Sequence, residues 1–325
     1  MKDKQDHLKK TPDSLEADVG SGGLKNRSVS SPTAEAGERS LRYSRVTFRN
    51  LARSPGGLLG AVIVAVVIFM ALAAPILAPH DPTAQDIRNR LVPPSWSEGG
   101  QSDFPLGTDQ MGRDILSRII YGTRISVAVG VSAVVVAGLV GVSLGLTSGF
   151  FGGFYDTAVM RFVDSFMSIP SLLLTMTIIG VVGPSVFTLI LVLGFTQWVS
   201  YARVVRGEVL SLKQREYVQA ARAIGQDPFW IMVRHVLPNV MASVIVMATL
   251  NVAATIISES ALSYLGLGVQ PPTVTWGQML SDGRNYVSTS WWLATFPGVA
   301  ITISVLGVIF LGDWLRDVLD PRLKQ

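Results

Sequence analysis

Side chains able to do chemistry are few in this chain. Among its 325 residues there is no cysteine, so it has no thiolate nucleophile, disulfide framework or thiolate metal site; only His7, His80 and His235 could serve as a histidine base. Gly141-Val-Ser-Leu-Gly145 satisfies the G-x-S-x-G pattern of a nucleophile elbow. It sits inside an apolar run with no strand before it, and none of the histidines is placed to serve it, so a hydrolase triad is rejected. Gly141 and Gly145 recur with Gly149 at four-residue spacing and read instead as a small-residue face that lets two membrane helices pack backbone to backbone. No G-x-x-x-x-G-K-[ST] string occurs, so the chain has no phosphate-cradling loop and is not expected to hydrolyse ATP itself. Asp109, Gly112, Arg113 and Asp114 lack the alternating oxygen ligands of a calcium loop and predict a folded turn, with no metal site. Arg161 and Asp164, three residues apart with Asp156 nearby, predict a local salt bridge. Glu259 lies in an apolar segment, where an ionisable group is costly and becomes a functional candidate. It either contacts a passing substrate or makes a structural hydrogen bond to backbone or serine.

The elements that must position these residues are membrane spans. The chain is 49% hydrophobic and only 15% charged, with mean hydropathy +0.41, against about a quarter charged residues in an ordinary soluble domain. A hydrocarbon core about 30 Å thick needs roughly 20 apolar residues of helix. Six segments qualify: about Gly57 to Ala78, Ile125 to Phe150, Phe166 to Val182, a fourth ending near Ala202, Pro238 to Leu262, and Trp291 to Leu315. Only Gly183 and Pro184 separate the third from the fourth, which predicts an antiparallel hairpin. The fold class is therefore an all-α integral membrane protein of about six transmembrane helices.

Charge gives orientation. Of the 27 Lys and Arg residues, eleven precede residue 54 and six more lie at Arg203, Arg206, Lys213, Arg215, Arg222 and Arg234. The positive-inside rule then places both termini and the segment after the fourth span in the cytoplasm. The formal charge of +4 is explained by this asymmetry, and no nucleic-acid partner is expected. Residues 1–40 are polar and read as a flexible cytoplasmic tail, and 41–56, with Arg42, Arg45, Arg49 and Arg53 at helical spacing, as a basic juxtamembrane helix on anionic lipid. The first transmembrane helix and an outer loop occupy 57–123, a transmembrane domain 124–316, and a cytoplasmic C-terminus 317–325.

The cytoplasmic segment 204–238 between the fourth and fifth spans is long and helix-favouring. Leu210, Tyr217, Ala220, Ala221 and Ile224 share a helical face, Gly225 ends that helix, Asp227 caps a second one opening at Pro228, and Pro238 marks the start of the fifth span. Small Ala220 and Ala221 allow another surface to come close, and Gly225 permits a left-handed turn. A partner-binding element is predicted, with an ordinary helical hairpin on the membrane as the alternative.

Tyr217-Val-Gln-Ala-Ala-Arg-Ala-Ile-Gly225, with His235-Val-Leu-Pro238, resembles the coupling loop of binding-protein-dependent ABC importer permeases. The family pattern is Glu-Ala-Ala, three residues, Gly, nine residues, Ile, one residue, Leu-Pro. Ala220, Ala221, Gly225, Leu237 and Pro238 fall on matching positions, while Gln219 stands for Glu and His235 for Ile. Four further stretches are similar to the dipeptide/oligopeptide branch: Leu106 to Arg118, Glu259 to Gly268, Pro271-Pro272 to Trp276-Gly277, and Leu319-Asp-Pro-Arg322.

That resemblance implies a type I ABC importer permease-like bundle in a bacterial or archaeal cell membrane, with the second to sixth spans as shared core. It implies a heterodimer with a second permease subunit, two ATPase subunits that carry ATP and Mg and clamp the coupling loops, and an extracytoplasmic solute-binding protein. The chain itself would be no enzyme and hold no cofactor. The implied cargo is di- or oligopeptides, with nickel complexes or glutathione as alternatives. An ion-coupled secondary transporter is the rival from another class; it would show mid-membrane carboxylates and an internal repeat, for which Glu259 alone is a candidate.

Overall fold

The computed structural model describes residue 51 and residues 54–319. The expected tail 1–40, most of the expected basic helix 41–56 and residues 320–325 lie outside the described residues. Among those described, the fold is helical, with one isolated antiparallel bridge between Thr108 and Asp114. Among the described residues five helices are long and apolar enough to cross a membrane, or six if one bent pair counts as a single span.

Helix α1 (Pro55–Leu72) starts where the Ser54 hydroxyl accepts from Gly57 N–H at 3.2 Å and Pro55 takes an early helical position. It carries no charge on any side, as suits a helix solvated by lipid. The expected span to Ala78 is interrupted at Ala73, and α2 (Ala74–Leu77) forms a separate turn because Pro75 has no N–H to continue the ladder.

Helix α3 (Ile115–Phe151) begins ten residues before the expected Ile125. The Asp114 carboxylate caps it, accepting from Ser117 N–H at 2.9 Å and Ser117 Oγ at 2.6 Å. Arg118 and Arg124 interrupt the apolar run in sequence without interrupting the helix.

The third expected span is corrected. Phe166 to Val182 is not one helix: α4 (Gly153–Met167) and α5 (Ser171–Val182) meet at an 84° bend. Pro170 disfavours helical backbone at the residue before it and lacks a donor, which breaks the helix there. The 12 residues of α5 reach only about 18 Å, short of a bilayer core. Residues 183–185 then turn the chain into α6 (Val186–Leu212), capped by Ser185.

Helix α6 runs ten residues past Ala202, because the arginines that end the apolar run are partnered. Arg206 binds Asp156 through two hydrogen bonds of 2.6 and 2.7 Å, and Arg203 reaches Asp164 at 2.5 Å. The predicted Arg161–Asp164 pair does not form. Arginine N-terminal to its acid is the weaker order on a helix, and the α6 arginine takes the carboxylate instead.

After the segment described below, α9 (Leu237–Tyr264) leads to α10 (Trp276–Gly283) and α11 (Trp292–Leu319). Helices α1 and α11 approach through glycine: a Cβ on Gly60 would stand 2.6 Å from Leu311 N, and one on Gly307 would stand 2.7 Å from Ile63 Cβ. The sixth expected span, Trp291 to Leu315, corresponds to α11, which continues four residues further.

Candidate coupling site

Helix α7 (Glu216–Ala223) ends in a fixed geometry. Gly225 sits at φ +78°, its N–H donates to Arg222 O at 3.0 Å, and Gln226 N–H donates to Ala221 O at 3.1 Å. These paired bonds satisfy the last carbonyls of the helix and require a left-handed residue where glycine stands. Asp227 then caps α8 (Pro228–Ile231), its carboxylate accepting from Phe229 N–H at 2.9 Å and Trp230 N–H at 3.2 Å.

Two parts of the predicted segment are corrected. Leu210 belongs to α6, which ends before a turn at residues 213–215, so it shares no helix with Tyr217. Pro238 does not begin a separate span. A π-helical turn over Met232–Val236 joins α8 to α9 in one 37-residue helix, with Leu237 N–H donating to Met232 O. The widened turn shifts the hydrogen-bond register, so the missing Pro238 N–H does not break the rod.

The segment has an inner and an outer face. Val218, Ala221, Ile231, Met232 and Val236 are buried against Phe150 of α3 and Tyr201, Val205 and Val209 of α6. Facing away are Tyr217, Ala220, Ile224 (82% exposed), Phe229 and Trp230. Exposed aromatic and aliphatic side chains on a rigidly turned pair of helices make this outer face a candidate docking surface. Leu237 is half-buried and Pro238 exposed. Sequence reasoning missed Phe229 and Trp230; their place directly behind the Asp227 cap was the available signal. Further ties hold the segment to the bundle. Lys213 Nζ donates to Gly149 O at 3.1 Å, and the Lys213 and Arg222 cations lie over the Phe150 ring. Partial burial and the neighbouring Arg222 hold Lys213 below the ordinary lysine pKa. His235 Nε2 lies 3.2 Å from Gln226 Oε1.

The segment packs on the bundle through α3, α6 and α9. Gly141, Gly145 and Gly149 form the α3 face that meets α6. A Cβ on Gly145 would lie 2.5 Å from Ala202 O, one on Gly149 would lie 3.0 Å from Val209 Cβ, and one on Gly141 would strike Trp198 O. Ser143, between the first two, donates to Leu139 O of its own helix at 2.6 Å and bonds to no histidine among the described residues. Gln197 of α6 and Thr255 of α9 are hydrogen-bonded at 3.0 Å, which ties together the two helices flanking the segment.

At the other end of α3, the stretch Leu106 to Arg118 folds into a turn. Asp109 and Asp282 face Arg113 and Arg118, with Arg113 Nε donating to Asp109 Oδ2 at 2.7 Å, Arg118 Nη1 donating to the same oxygen, and Arg118 Nη2 donating to Asp282 at 3.3 Å. Arg118 is 1% exposed, so each buried charge depends on the others. The Asp282 partner lies 164 residues away and had no local signal in sequence.

Glu259 is fully enclosed near the end of α9. It accepts from Ser263 Oγ at 2.8 Å, and its second oxygen has no partner among the described residues. The start of α10 covers it closely, since a Cβ on Gly277 would lie 2.6 Å from Ser260 Cα. Glu259→Gln keeps an acceptor for Ser263, so stability changes by no more than about 1 kcal/mol and uptake persists. Glu259→Ala leaves Ser263 unpaired and loses about 1–3 kcal/mol. Thermal unfolding alongside uptake measures both; lost uptake in a stably folded Gln variant contradicts a structural role.

The fold is that of an ABC importer permease. It resembles a chain from the inward-facing MetNI methionine ABC transporter, with TM-score 0.51 and 20% identity over 62% of this chain and 96% of that one. Residues 141–325 match the family described as binding-protein-dependent transport system inner membrane component, and residues 42–94 match the N-terminal TM domain of oligopeptide transport permease C. The chain belongs to this family of inner membrane transport permeases. It is 42% identical to the di/tripeptide transport system permease protein DppC of Pseudomonas aeruginosa (strain UCBPP-PA14), over 90% of this chain and 97% of that protein. It is 44% identical to the dipeptide transport system permease protein DppC of Escherichia coli (strain K12), over 84% and 91% respectively.

Proposed function

We propose that the chain is one permease subunit of an ATP-driven importer of dipeptides, paired with a second, different permease. Of two ATPase subunits, which hold ATP and Mg, one docks on the face formed by Tyr217, Ala220, Ile224, Phe229 and Trp230, and the other on the second permease. An extracytoplasmic binding protein delivers the peptide. Both termini and the segment 204–238 lie in the cytoplasm, following the charge asymmetry. This chain contributes half of the pathway and no catalytic group. The dipeptide assignment rests on the relatives' names.

The observation that carries the mechanism is the exposed apolar face of a glycine-jointed helix pair whose other face is fastened to α3, α6 and α9. Closure of the ATPases moves that pair as a rigid body and swings α6 and α9 with it, exchanging an inward opening for an outward one. Ala220 lets the ATPase surface approach, Ala221 seats the helix on the bundle, Gly225 sets the angle between the helices, and Leu237 and Pro238 join the segment to α9. The test is dipeptide uptake into liposomes containing the whole complex. Uptake is expected to require both internal ATP and the binding protein. Uptake that persists without ATP and follows an ion gradient overturns the proposal.

A further inference from the structure

A crevice of ≈ 950 Å³ opens where α2, the residues after it and the first third of α3 meet the Pro272–Val274 stretch. Its walls include Pro75, Ala78, Tyr121, Ile125 and Pro272, and its ionisable groups besides Tyr121 are Arg124, His80 and Asp81. Two of the three are engaged by the chain itself. Asp81 accepts from Thr83 N–H at 2.7 Å and Thr83 Oγ1 at 2.6 Å, bonds that hold its carboxyl below the ordinary aspartate pKa. His80 packs at a tilt against Phe104, with Nδ1 3.6 Å from Asp114. Arg124 is exposed and makes no ion pair or hydrogen bond with any of the described residues.

Arg124 also stands at the head of an apolar track. Ala128, Val131, Val135 and Leu139 follow it at offsets of 4, 7, 11 and 15 residues, on one face of α3, and all are exposed. Fifteen residues of helix span about 22 Å, more than half of a bilayer core about 30 Å thick. Leu72 and Ile76, 78% and 87% exposed, continue the apolar surface beside the crevice. The arrangement is therefore one unpaired guanidinium at the boundary of the apolar segment, above a strip as long as an acyl chain. A guanidinium matches phosphate bidentately.

We infer that this crevice and the α3 track below it bind one anionic phospholipid, its phosphate held by Arg124 and an acyl chain lying along Ala128, Val131, Val135 and Leu139. Such a site depends on neither the cargo nor the orientation of the chain. A phosphate group could also come from solution, and a second protein subunit could cover the track instead, so the experiment separates these occupants.

The whole transporter, purified from membranes containing phosphatidylglycerol, is stripped of loosely held lipid and its retained lipid counted by native mass spectrometry. Arg124→Gln is expected to retain about tenfold less phosphatidylglycerol than the unaltered complex, the loss of one charge-assisted phosphate contact. Arg124→Lys retains an intermediate amount. Inorganic phosphate at millimolar concentration leaves the lipid in place; displacement by it would assign the site to a free anion and overturn the inference. Should Arg124→Gln fail to fold, a photoreactive residue at exposed Val131 with Arg124 intact gives the second readout. Cross-linking to lipid is expected, while cross-linking to the second permease, or lipid retention unchanged in a folded Arg124→Gln complex, contradicts the site.

Discussion

Gly145→Leu is expected to prevent recovery of the folded bundle. At this position the neighbours are backbone: the first added carbon lies 2.5 Å from Ala202 O and 3.0 Å from Ala202 Cα, with Val205 Cβ also at 3.0 Å. A flexible side chain could rotate away; a helix backbone cannot. Relief requires α3 and α6 to separate, which uncovers the apolar cluster holding Phe150, Val205 and Val209 against the coupling segment. The cost is about 3–5 kcal/mol, above the usual range for overpacking because the obstacle is backbone, and a large fraction of the about 5–15 kcal/mol that holds a typical domain folded. Gly138→Leu on the same helix is the control, because nothing lies within 4 Å of its added carbon. Melting of the two variants in detergent should place Gly138→Leu near the unaltered protein and find Gly145→Leu aggregated. Equal behaviour would show that α3 and α6 do not pack through this face.

Gly225→Leu is expected to abolish productive ATPase docking while leaving the membrane helices folded. Here no neighbour obstructs a side chain, since nothing lies within 4 Å of an added Cβ. The obstacle is the backbone at φ +78°. Holding leucine there costs about 1–2 kcal/mol, enough to shift the turn's population by roughly 5–30-fold. Once the turn opens, the bonds from Gly225 to Arg222 and from Gln226 to Ala221 are lost, and the two helices no longer present a single face. Gly225→Asn, which tolerates the left-handed region, should keep most of the activity. Co-purification of the ATPases, uptake and the melting midpoint together read this out. Retained ATPases and normal uptake in the leucine variant refute the role of the joint.

The signals legible in sequence were those confined to one element. The all-helical membrane class, the four-residue glycine spacing of α3, the Gly225 stop and the Asp227 cap are each local patterns of hydropathy or backbone preference, and each corresponds to an observed feature. Boundaries failed where tertiary partners changed the energetics. Helix α6 extends through Arg203 and Arg206 because Asp164 and Asp156 of α4 compensate them. Helix α3 starts early because Asp114 caps it. The broken third span was readable from Pro170, but hydropathy averages over a proline and concealed the bend. The π turn that carries the chain through Pro238, and the pairing of Arg118 with Asp282, depend on surroundings far away in sequence. For Glu259, spacing left two roles open, and its enclosure beneath α10 favours the structural one.

Because the chain has no cysteine, Ile224→Cys introduces a unique thiol at the most exposed point of the coupling face. The decisive measurement is disulfide cross-linking of that thiol to cysteines placed around the surface cleft of each ATPase in the intact complex, with and without nucleotide. A cross-link to an ATPase is expected, with a yield that changes between nucleotide states as the helix pair moves. Labelling of the same thiol by an impermeant reagent from outside intact cells, with no cross-link to either ATPase in any state, would contradict it.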